Sequence, residues 1–384
     1  MNKTTYRIIL QGMAISAGVL LAAAAGGDTA EAGPKEAEPL TITVKASPEA
    51  EFATELEVRS PNLTKGLRGV RKHQDTPVPP SDTYVTWKEG GVPREFSIDG
   101  NGVWHEGATG EGWELPEGAR SELSRYIEAA RQAHYGRLVP WDEASKTVTM
   151  KSICTVTDLE TGRSFQAQRR AGRSHADMQP VSKADTKIMK EIYGGAWSWR
   201  RRAVLVQLDG RGPALAASMH GMPHGGDGIP DNGFSGHFCI HFLGSATHGS
   251  KHVDPDHQWM VYKASGRLDE ALGQADPAGV AEGFIVALNQ KDGELLKRTF
   301  ASPGHSQLSY FLSEMESLQG IKPVEGQREG ASNPPGDDVL SAEVAVDTTV
   351  YRKDHKPERR RLIFRLKREG MKSPWKIEQV MLSA

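Results

Sequence analysis

Several features by which common protein classes are recognised are scarce in this sequence. Only two of its 384 residues are cysteines, so at most one disulfide can form, between Cys154 and Cys239. The formal net charge is −2 and the arginine runs at 200–202 and 359–361 are short, so the concentrated basic face of a nucleic-acid-binding protein is missing. Neither a His-Glu-x-x-His motif nor a paired Cys-x-x-Cys motif occurs, which removes two common zinc signatures. We therefore expect no nucleic-acid partner.

The N-terminal residues carry the pattern of a secretory signal peptide. Lys3 and Arg7 are followed by an apolar run at 13–25, and small residues then offer cleavage sites after Ala25 or Ala32. The apolar run is too short and its flanks too polar for a good membrane span, and an uncleaved anchor is the alternative. We expect residues 1–32 to be removed and the mature protein to work outside the cytoplasm, with no stable membrane span.

The rest of the chain divides into three regions without an internal repeat. Residues 33–144 are predicted to form a small α+β module, because alternating apolar segments separated by turn residues precede a helix at about 119–134. The alternating segments are 40–44, 84–87 and 95–98. The lone histidines of this region, His105 and His134, are expected to be structural.

Residues 276–384 are predicted to form a second α+β module. Asp276 and Pro277 are a typical helix start, and three alternating segments follow a polar stretch rich in Pro, Gly and Glu. These segments are 342–351, 361–367 and 375–381. A helix followed by long antiparallel strands resembles the nuclear transport factor 2-like fold. The resemblance is one of architecture and implies no particular ligand.

The middle region, residues 145–268, holds most of the histidines. Seven of the thirteen in the chain fall between His220 and His257, interleaved with apolar residues. Strand-like segments dominate this region, with one or two helices among them. The whole chain is therefore predicted to be an α+β multi-domain protein, with a central mostly-β domain flanked by two small α+β modules.

One segment of the middle region alternates strictly between polar and apolar residues. Along residues 236–242, His237, Cys239 and His241 are predicted to share one face of a strand, opposite three apolar side chains. An imidazole beside a thiol lowers the thiol pKa and creates a nucleophile. We therefore expect Cys239 to be a reactive thiolate, with a disulfide to Cys154 or an inert buried thiol as alternatives.

The same segment resembles the motif of the L,D-transpeptidases of peptidoglycan. A His-Gly pair at 220–221, a spacer, and Ser-Gly-His-Phe-Cys-Ile-His at 235–241 are similar to the family's His-Gly and Ser-His-Gly-Cys-Ile-Arg elements. The sequence departs from the family at Phe238, which replaces the glycine that shapes the oxyanion site. It departs again at His241, which replaces an arginine that orients substrate, and at Gly236, which is an extra residue.

A longer block, about 136–257, resembles an uncharacterised module of exported cell-envelope proteins of Gram-positive bacteria. Besides the cysteine segment, the resemblance rests on residues 135–136, 138–141, 174–177, 192–195 and 197–201. Such modules often occur beside peptidoglycan-binding domains. The resemblance implies peptidoglycan as a partner and a secreted or cell-wall-associated location.

Together these resemblances imply a cysteine-dependent acyl-transfer domain acting on peptidoglycan peptides, without a cofactor. Cys239 would attack a peptide carbonyl, and His237 or His220 would act as general base. His241 would orient the base or bind the substrate carboxylate. The thioester would be resolved by an amine, as in a transferase, or by water, as in a hydrolase. The residues expected to bind substrate are Ser235, Gly236 and His224.

A zinc site is the alternative explanation for the same cluster. His175 and Asp177, two residues apart, could join the cysteine segment to supply N, S and O ligands. The full alternative ligand set is His175, Asp177, His237, Cys239 and His241. In that case the chain would be a non-catalytic wall-binding protein whose His/Cys cluster holds zinc or is purely structural.

Overall fold

The computed structural model describes most of the chain, in two compact units. It describes the backbone of residues 5–11 and, in full, residues 39–74, 77–107, 109–209, 212–226, 228–248, 251–324 and 339–383. The first unit comprises the described parts of Thr5–Val44 and Ala53–His134, and the second those of Lys45–Phe52 and Tyr135–Ala384. The apolar run and both cleavage sites of the predicted signal peptide lie outside the described residues.

The described part of the first unit is an eight-stranded sheet with two helices. Its elements are β1 (Thr5–Gln11), β2 (Leu40–Val44), β3 (Ala53–Arg59), α1 (Pro61–Leu67), β4 (Arg71–His73), β5 (Thr83–Glu89), β6 (Val92–Ile98), β7 (Trp104–Glu106), β8 (Gly112–Glu114) and α2 (Glu117–His134). The strand order is β1-β3-β2-β5-β6-β7-β8-β4, and all neighbours are antiparallel except β1 and β3. The strands and the helix predicted for this region are confirmed.

Three aromatic side chains pack together in the core of this sheet. The ring of Phe96 lies 5.3 Å from that of Trp104 and 4.8 Å from that of Trp113, and all three side chains are buried. Helix α2 packs on β2 and β3, where its last residue, His134, is buried and pairs with Thr54 through a 3.1 Å hydrogen bond. This histidine therefore has the structural role that was predicted.

The second unit contains α3 (Trp141–Thr147) and a closed antiparallel barrel. The barrel strands are β9 (Ile153–Asp158), β10 (Ser164–Ala171), β11 (Ala176–Pro180), β12 (Arg201–Leu208), β13 (Leu215–His220) and β14 (Phe238–His241), with α4 (Lys183–Ile192) between β11 and β12. Around the ring the order is β9-β10-β11-β14-β13-β12. Buried apolar side chains fill the barrel, among them Val156, Phe165, Met178, Val204, Met219, Phe238 and Ile240. Closure pairs each of these strands on both sides, which holds the residues they carry on a rigid frame.

Helices and a second sheet complete this unit. They are α5 (Pro255–Ala264), α6 (Leu268–Gln274), α7 (Pro277–Gln290), α8 (Gly293–Thr299), α9 (Leu308–Ser317), β15 (Leu318–Pro323), β16 (Ser341–Arg352), β17 (Glu358–Lys367) and β18 (Lys376–Ser383). The strands form an antiparallel sheet in sequence order. Asp276 caps α7 by accepting a hydrogen bond from Gly279 N, and Phe284 on this helix packs against Phe364 of β17. The predicted helix start and the three predicted strands are confirmed.

Helix α5 links the barrel to the helices that follow it. It packs on β12 and β13 and also on α7, so the two predicted regions 145–268 and 276–384 fall in one compact unit. Its N-cap residue, Asp254, binds Arg201 of β12 at 2.7 Å, which fixes the first turn of α5 against the barrel. The chain is a mixed α+β protein with several sheets, as predicted. Among the residues described, none of the helices is long and apolar enough to cross a membrane.

Candidate functional site

The alternation predicted around Cys239 is present in β14. Phe238 and Ile240 belong to the barrel core, so Cys239 and His241 lie on the opposite face of the strand. Asp177 of β11 is the residue directly opposite Cys239 in the strand pairing. The polar face of the barrel therefore brings a thiol, a carboxylate and imidazoles together.

Histidines from five other segments join this face. His220 ends β13, and His224 pairs with His237 in an isolated β-bridge with two backbone hydrogen bonds of 3.0 and 2.7 Å. His257 comes from the first turn of α5, which covers this side of the barrel. The remaining two are His175, just before β11, and His248, in the loop after β14. The described residues thus form one histidine-rich centre.

The thiol of Cys239 contacts one imidazole directly. Its Sγ lies 3.3 Å from Nε2 of His224. The other ring nitrogen of His224, Nδ1, lies 3.1 Å from the carbonyl oxygen of Met222, which can only accept, so Nδ1 carries the proton. In the neutral ring Nε2 is then an acceptor that faces the thiol. A thiol, an imidazole and a group that orients the imidazole are the parts of a nucleophile–base pair.

Asp177 is the most crowded group of the centre. Its Oδ1 is 2.9 Å from Nε2 of His248, 3.0 Å from Nε2 of His175, 3.9 Å from Nε2 of His237 and 3.9 Å from Sγ of Cys239. Burial alone would raise the pKa of this carboxyl, but His175, His237 and His248 lower it below its usual value. Asp177 is therefore an ionised carboxylate beside the thiol.

The environment of Cys239 corrects one expectation from the sequence. The side chain is only 3% exposed, and burial, followed by the charge of Asp177, raises the pKa of its thiol. The predicted lowering of the thiol pKa by the flanking imidazoles is wrong, because these two effects outweigh them. In the absence of a bound cation, Cys239 is a protonated thiol at neutral pH.

Beneath the thiol, buried imidazoles stack on one another. The ring of His241 lies 4.5 Å from that of His175 and 3.8 Å from that of His257, nearly parallel to both. His257 Nδ1 is tied to the hydroxyl of Ser218 at 2.9 Å. Burial, followed by neighbouring positive charges, holds the pKa values of His241 and His257 well below the usual value. These rings are neutral, which permits their close packing.

Trp199 lies at the rim of the centre. Trp199 is 49% exposed, and its ring is 4.8 Å from that of His220 and 5.4 Å from that of His224. Trp197 instead packs on Phe234 at 5.3 Å. Of the two tryptophans that precede β12, Trp199 is the one placed to touch a molecule that reaches the histidines.

The structure gathers most of the residues predicted for the site. Cys239, His237, His220, His241 and His224 all lie in the cluster, as do His175 and Asp177 of the zinc alternative. His224, predicted only to bind substrate, is the imidazole that contacts the thiol, whereas His237 packs against His224 with ring centroids 4.3 Å apart and His220 lies 5.1 Å from it.

Two predicted substrate residues precede the cysteine strand. Ser235 is exposed and lines a shallow depression formed by residues 228–235. Gly236 is buried at φ +85°, and a Cβ there would lie 2.3 Å from the carbonyl oxygen of His224. Glycine is thus required where the bridge between His224 and His237 closes.

Sequence reasoning missed His248 and His257. The only signal for them was the concentration of histidines between His220 and His257. His241 stands apart from the metal-binding geometry, because its ring is stacked against His175 and His257. The described residues offer two groups of donor atoms that lie within 4.8 Å of one another, and neither includes His241. They are His224, His237, Cys239 and His248, and His175, Asp177, Cys239 and His248.

Comparison with known proteins does not place the chain in a family. No family model matches the chain, and no curated protein matches it. Both cysteines are free thiols, with Cys154 buried in the barrel wall away from the centre. The fold and the site together define an α+β protein whose six-stranded barrel carries a partly buried His/Cys/Asp centre.

Proposed function

We propose that this chain is an exported cell-wall protein whose barrel carries out cysteine-dependent acyl transfer on peptidoglycan peptides. The observation that supports this most directly is the 3.3 Å contact between Cys239 Sγ and His224 Nε2, with His224 oriented by the Met222 carbonyl. This is the arrangement of a nucleophile, a base and an orienting group. The resemblance of residues 235–241 to the L,D-transpeptidase motif supplies the substrate class.

The raised pKa of the thiol determines how the first step proceeds. Because Cys239 is protonated, His224 takes the proton as Sγ attacks the peptide carbonyl carbon, in the manner of general-base catalysis. Sγ and the carbon form a bond and the carbonyl electrons move to oxygen. The oxyanion then collapses, the C–N bond breaks, and the leaving amine receives the proton from His224.

The second step consumes the thioester. An amine of a second peptide gives a new cross-link and a transferase, whereas water gives a shortened peptide and a hydrolase. In either case His224 removes a proton from the incoming group and the Cys239 thiol is regenerated. Trp199, exposed beside His220 and His224, is placed to contact the substrate.

The neighbouring histidines have positioning roles in this proposal. His237 and His220 lie against the ring of His224 and limit its movement. His241 supports the centre from below by stacking on His257, which α5 holds in place. The assignment of the base to His237 or His220 remains a prediction, and the geometry favours His224.

Incubation of the purified protein with peptidoglycan stem peptides, followed by mass spectrometry of the products, tests the proposed activity. The wild type and Cys154→Ala are expected to give cross-linked or shortened peptides, and Cys239→Ala is expected to give neither. Cys154 is the matched control because it is the other buried thiol of the barrel. Equal product from Cys239→Ala would contradict the proposal.

The proposed location has its own test. N-terminal sequencing of protein from the culture medium and wall fraction should begin after Ala25 or Ala32, and purified sacculi should retain both the wild type and Cys239→Ala. Sacculi that retain both proteins without any peptide product would leave a non-catalytic wall-binding protein. Protein that stays in the supernatant would contradict the wall location.

A further inference from the structure

The carboxylate of Asp177 faces a buried imidazole nitrogen of His175. His175 Nδ1 lies 2.7 Å from the carbonyl oxygen of Ala246, which can only accept, so Nδ1 carries a proton and Nε2 is the atom turned towards Asp177. The other nitrogen, Nε2, is buried and lies 3.0 Å from Asp177 Oδ1, at ion-pair distance. A carboxylate oxygen and an imidazole nitrogen thus face each other at a separation that a proton or a metal ion can bridge.

The surrounding donor atoms have the spacing of a metal site. Donors at the corners of a tetrahedral zinc site, with bonds of about 2.0–2.3 Å, are separated by roughly 3.3–3.8 Å. Asp177 Oδ1 lies 2.9, 3.0 and 3.9 Å from His248 Nε2, His175 Nε2 and Cys239 Sγ, and all four donors are within 4.8 Å of one another. Small side-chain movements suffice to reach ligand distances.

We infer that His175, Asp177, Cys239 and His248 bind one divalent transition-metal ion of the zinc class, and that this ion withdraws Cys239 from acyl transfer. The binding site stands on its own geometry, whereas the regulatory consequence rests on the proposed function. Two imidazoles, a thiolate and a carboxylate suit zinc and its transition-metal neighbours, not magnesium or calcium, which prefer oxygen ligands.

Charge balance favours the same four ligands. One thiolate and one carboxylate neutralise a divalent ion, so the loaded site would carry no net charge. His175, Asp177 and Cys239 are buried, and a neutral cluster is far less costly to bury than an isolated ion. The other donor group, with His224 and His237 in place of His175 and Asp177, would leave one positive charge uncompensated.

The site combines a rigid side with an accessible one. Asp177 and Cys239 are opposite each other on paired barrel strands, and His175 directly precedes β11. The loop that carries His248 is attached to the same segment, since Ala246 donates from its amide to the Ser174 carbonyl at 3.1 Å. The side chain of His248 is 50% exposed, which gives an ion a route from solvent.

Metal binding and acyl transfer make opposite demands on Cys239. A bound ion takes the thiol as thiolate and occupies its lone pair, so Sγ no longer reaches a substrate carbonyl. The proton lost by the thiol leaves to solvent or to His224. The metal-free protein is therefore the active form and the loaded protein the inactive form.

Titration of the chelator-treated full chain with Co²⁺ tests the site, because a cobalt–thiolate bond gives a charge-transfer absorption band. We expect one ion per chain, with loss of the band in Cys239→Ser. Asp177→Asn and His248→Ala should each weaken binding by about tenfold or more. The control His355→Ala, an exposed histidine of the β16–β17 turn, should bind as the wild type does. Zn²⁺ should displace Co²⁺.

Several outcomes would overturn the metal site. One is the absence of binding, another is binding without the thiolate band, and a third is binding unchanged in both Asp177→Asn and His248→Ala. His248 is half exposed, so His248→Ala keeps the fold if Asp177→Asn does not. If His175 and Asp177 share a proton and hold no metal, the Co²⁺ titration would show no binding.

The peptide assay, run with metal-free and Zn²⁺-loaded protein, separates this inference from the proposed function. Activity only in the metal-free protein supports both. Metal binding with no activity in either form would support the metal site and contradict the proposed function. Activity only in the Zn²⁺-loaded protein would support the metal site. It would contradict acyl transfer by Cys239 and also the inference that the metal removes Cys239 from acyl transfer. Equal activity in both forms overturns the regulatory consequence.

Discussion

Asp177 lies directly opposite Cys239 across the paired strands β11 and β14, with its Oδ1 3.9 Å from the thiol sulfur. Burial of the thiol, followed by the charge of this carboxylate, raises the thiol pKa and keeps the proton on sulfur. The same carboxylate attracts a cation. We propose that this pair controls whether Cys239 acts as a thiol beside His224 or as a ligand beside His175 and His248.

Asp177→Asn should make Cys239 easier to ionise. Removal of the negative charge stabilises the thiolate, so the pKa of the thiol should fall by about one unit or more. The measurement is the pH dependence of Cys239 alkylation by iodoacetamide in the presence of a chelator. Glu191→Gln, which removes an exposed carboxylate of α4, is the control and should change nothing. An unchanged midpoint in Asp177→Asn would show that burial alone sets the pKa.

His224→Ala should remove the base and reduce product formation by about 10²–10⁴-fold. His237→Ala should give a much smaller loss, because His237 contacts His224 and not the sulfur. Product formation from stem peptides, measured at several pH values, checks both variants, with His355→Ala as the unaffected control. A larger loss in His237→Ala than in His224→Ala would return the role of base to His237.

Gly236→Ala should disrupt the bridge that places His224 against the thiol. The residue has φ +85°, and its new Cβ would lie 2.3 Å from the His224 carbonyl oxygen. We expect a loss of about 1–3 kcal/mol in the free energy of unfolding, measured by urea denaturation. Gly226→Ala, where a Cβ meets no atom within 4 Å, is the matched control. Equal stability of the two variants would contradict this role of Gly236.

Local sequence patterns predicted the elements well and the site only in part. The alternation at residues 236–242 correctly placed Cys239 and His241 opposite the core, because a strand has a fixed period of two. The pKa of the thiol could not be predicted in this way, because it depends first on burial and then on Asp177, which is 62 residues away and reaches Cys239 only through the register of the closed barrel. Register of this kind follows from the whole fold.

The same dependence on the whole fold explains why the sequence predicted His224 only as a substrate-binding residue and not as the imidazole that contacts the thiol. Fifteen residues separate His224 from Cys239, and this spacing matches neither a strand nor a helix repeat. A β-bridge with His237 is what brings His224 to the sulfur. The positions of His248 and His257 depend on a loop and on helix α5, respectively. An ion pair between Arg201 and Asp254 attaches that helix to the barrel. A concentration of histidines predicted that a centre exists but not which atoms meet.

The most direct test of the account is detection of the covalent intermediate. Metal-free protein is mixed with a stem peptide, quenched in acid, and examined by intact-protein mass spectrometry and peptide mapping. The account predicts an added acyl group on Cys239 that hydroxylamine removes, absent from Cys239→Ala and strongly reduced in His224→Ala. An acyl group on another residue, or no adduct in a protein that still converts the peptide, would contradict it.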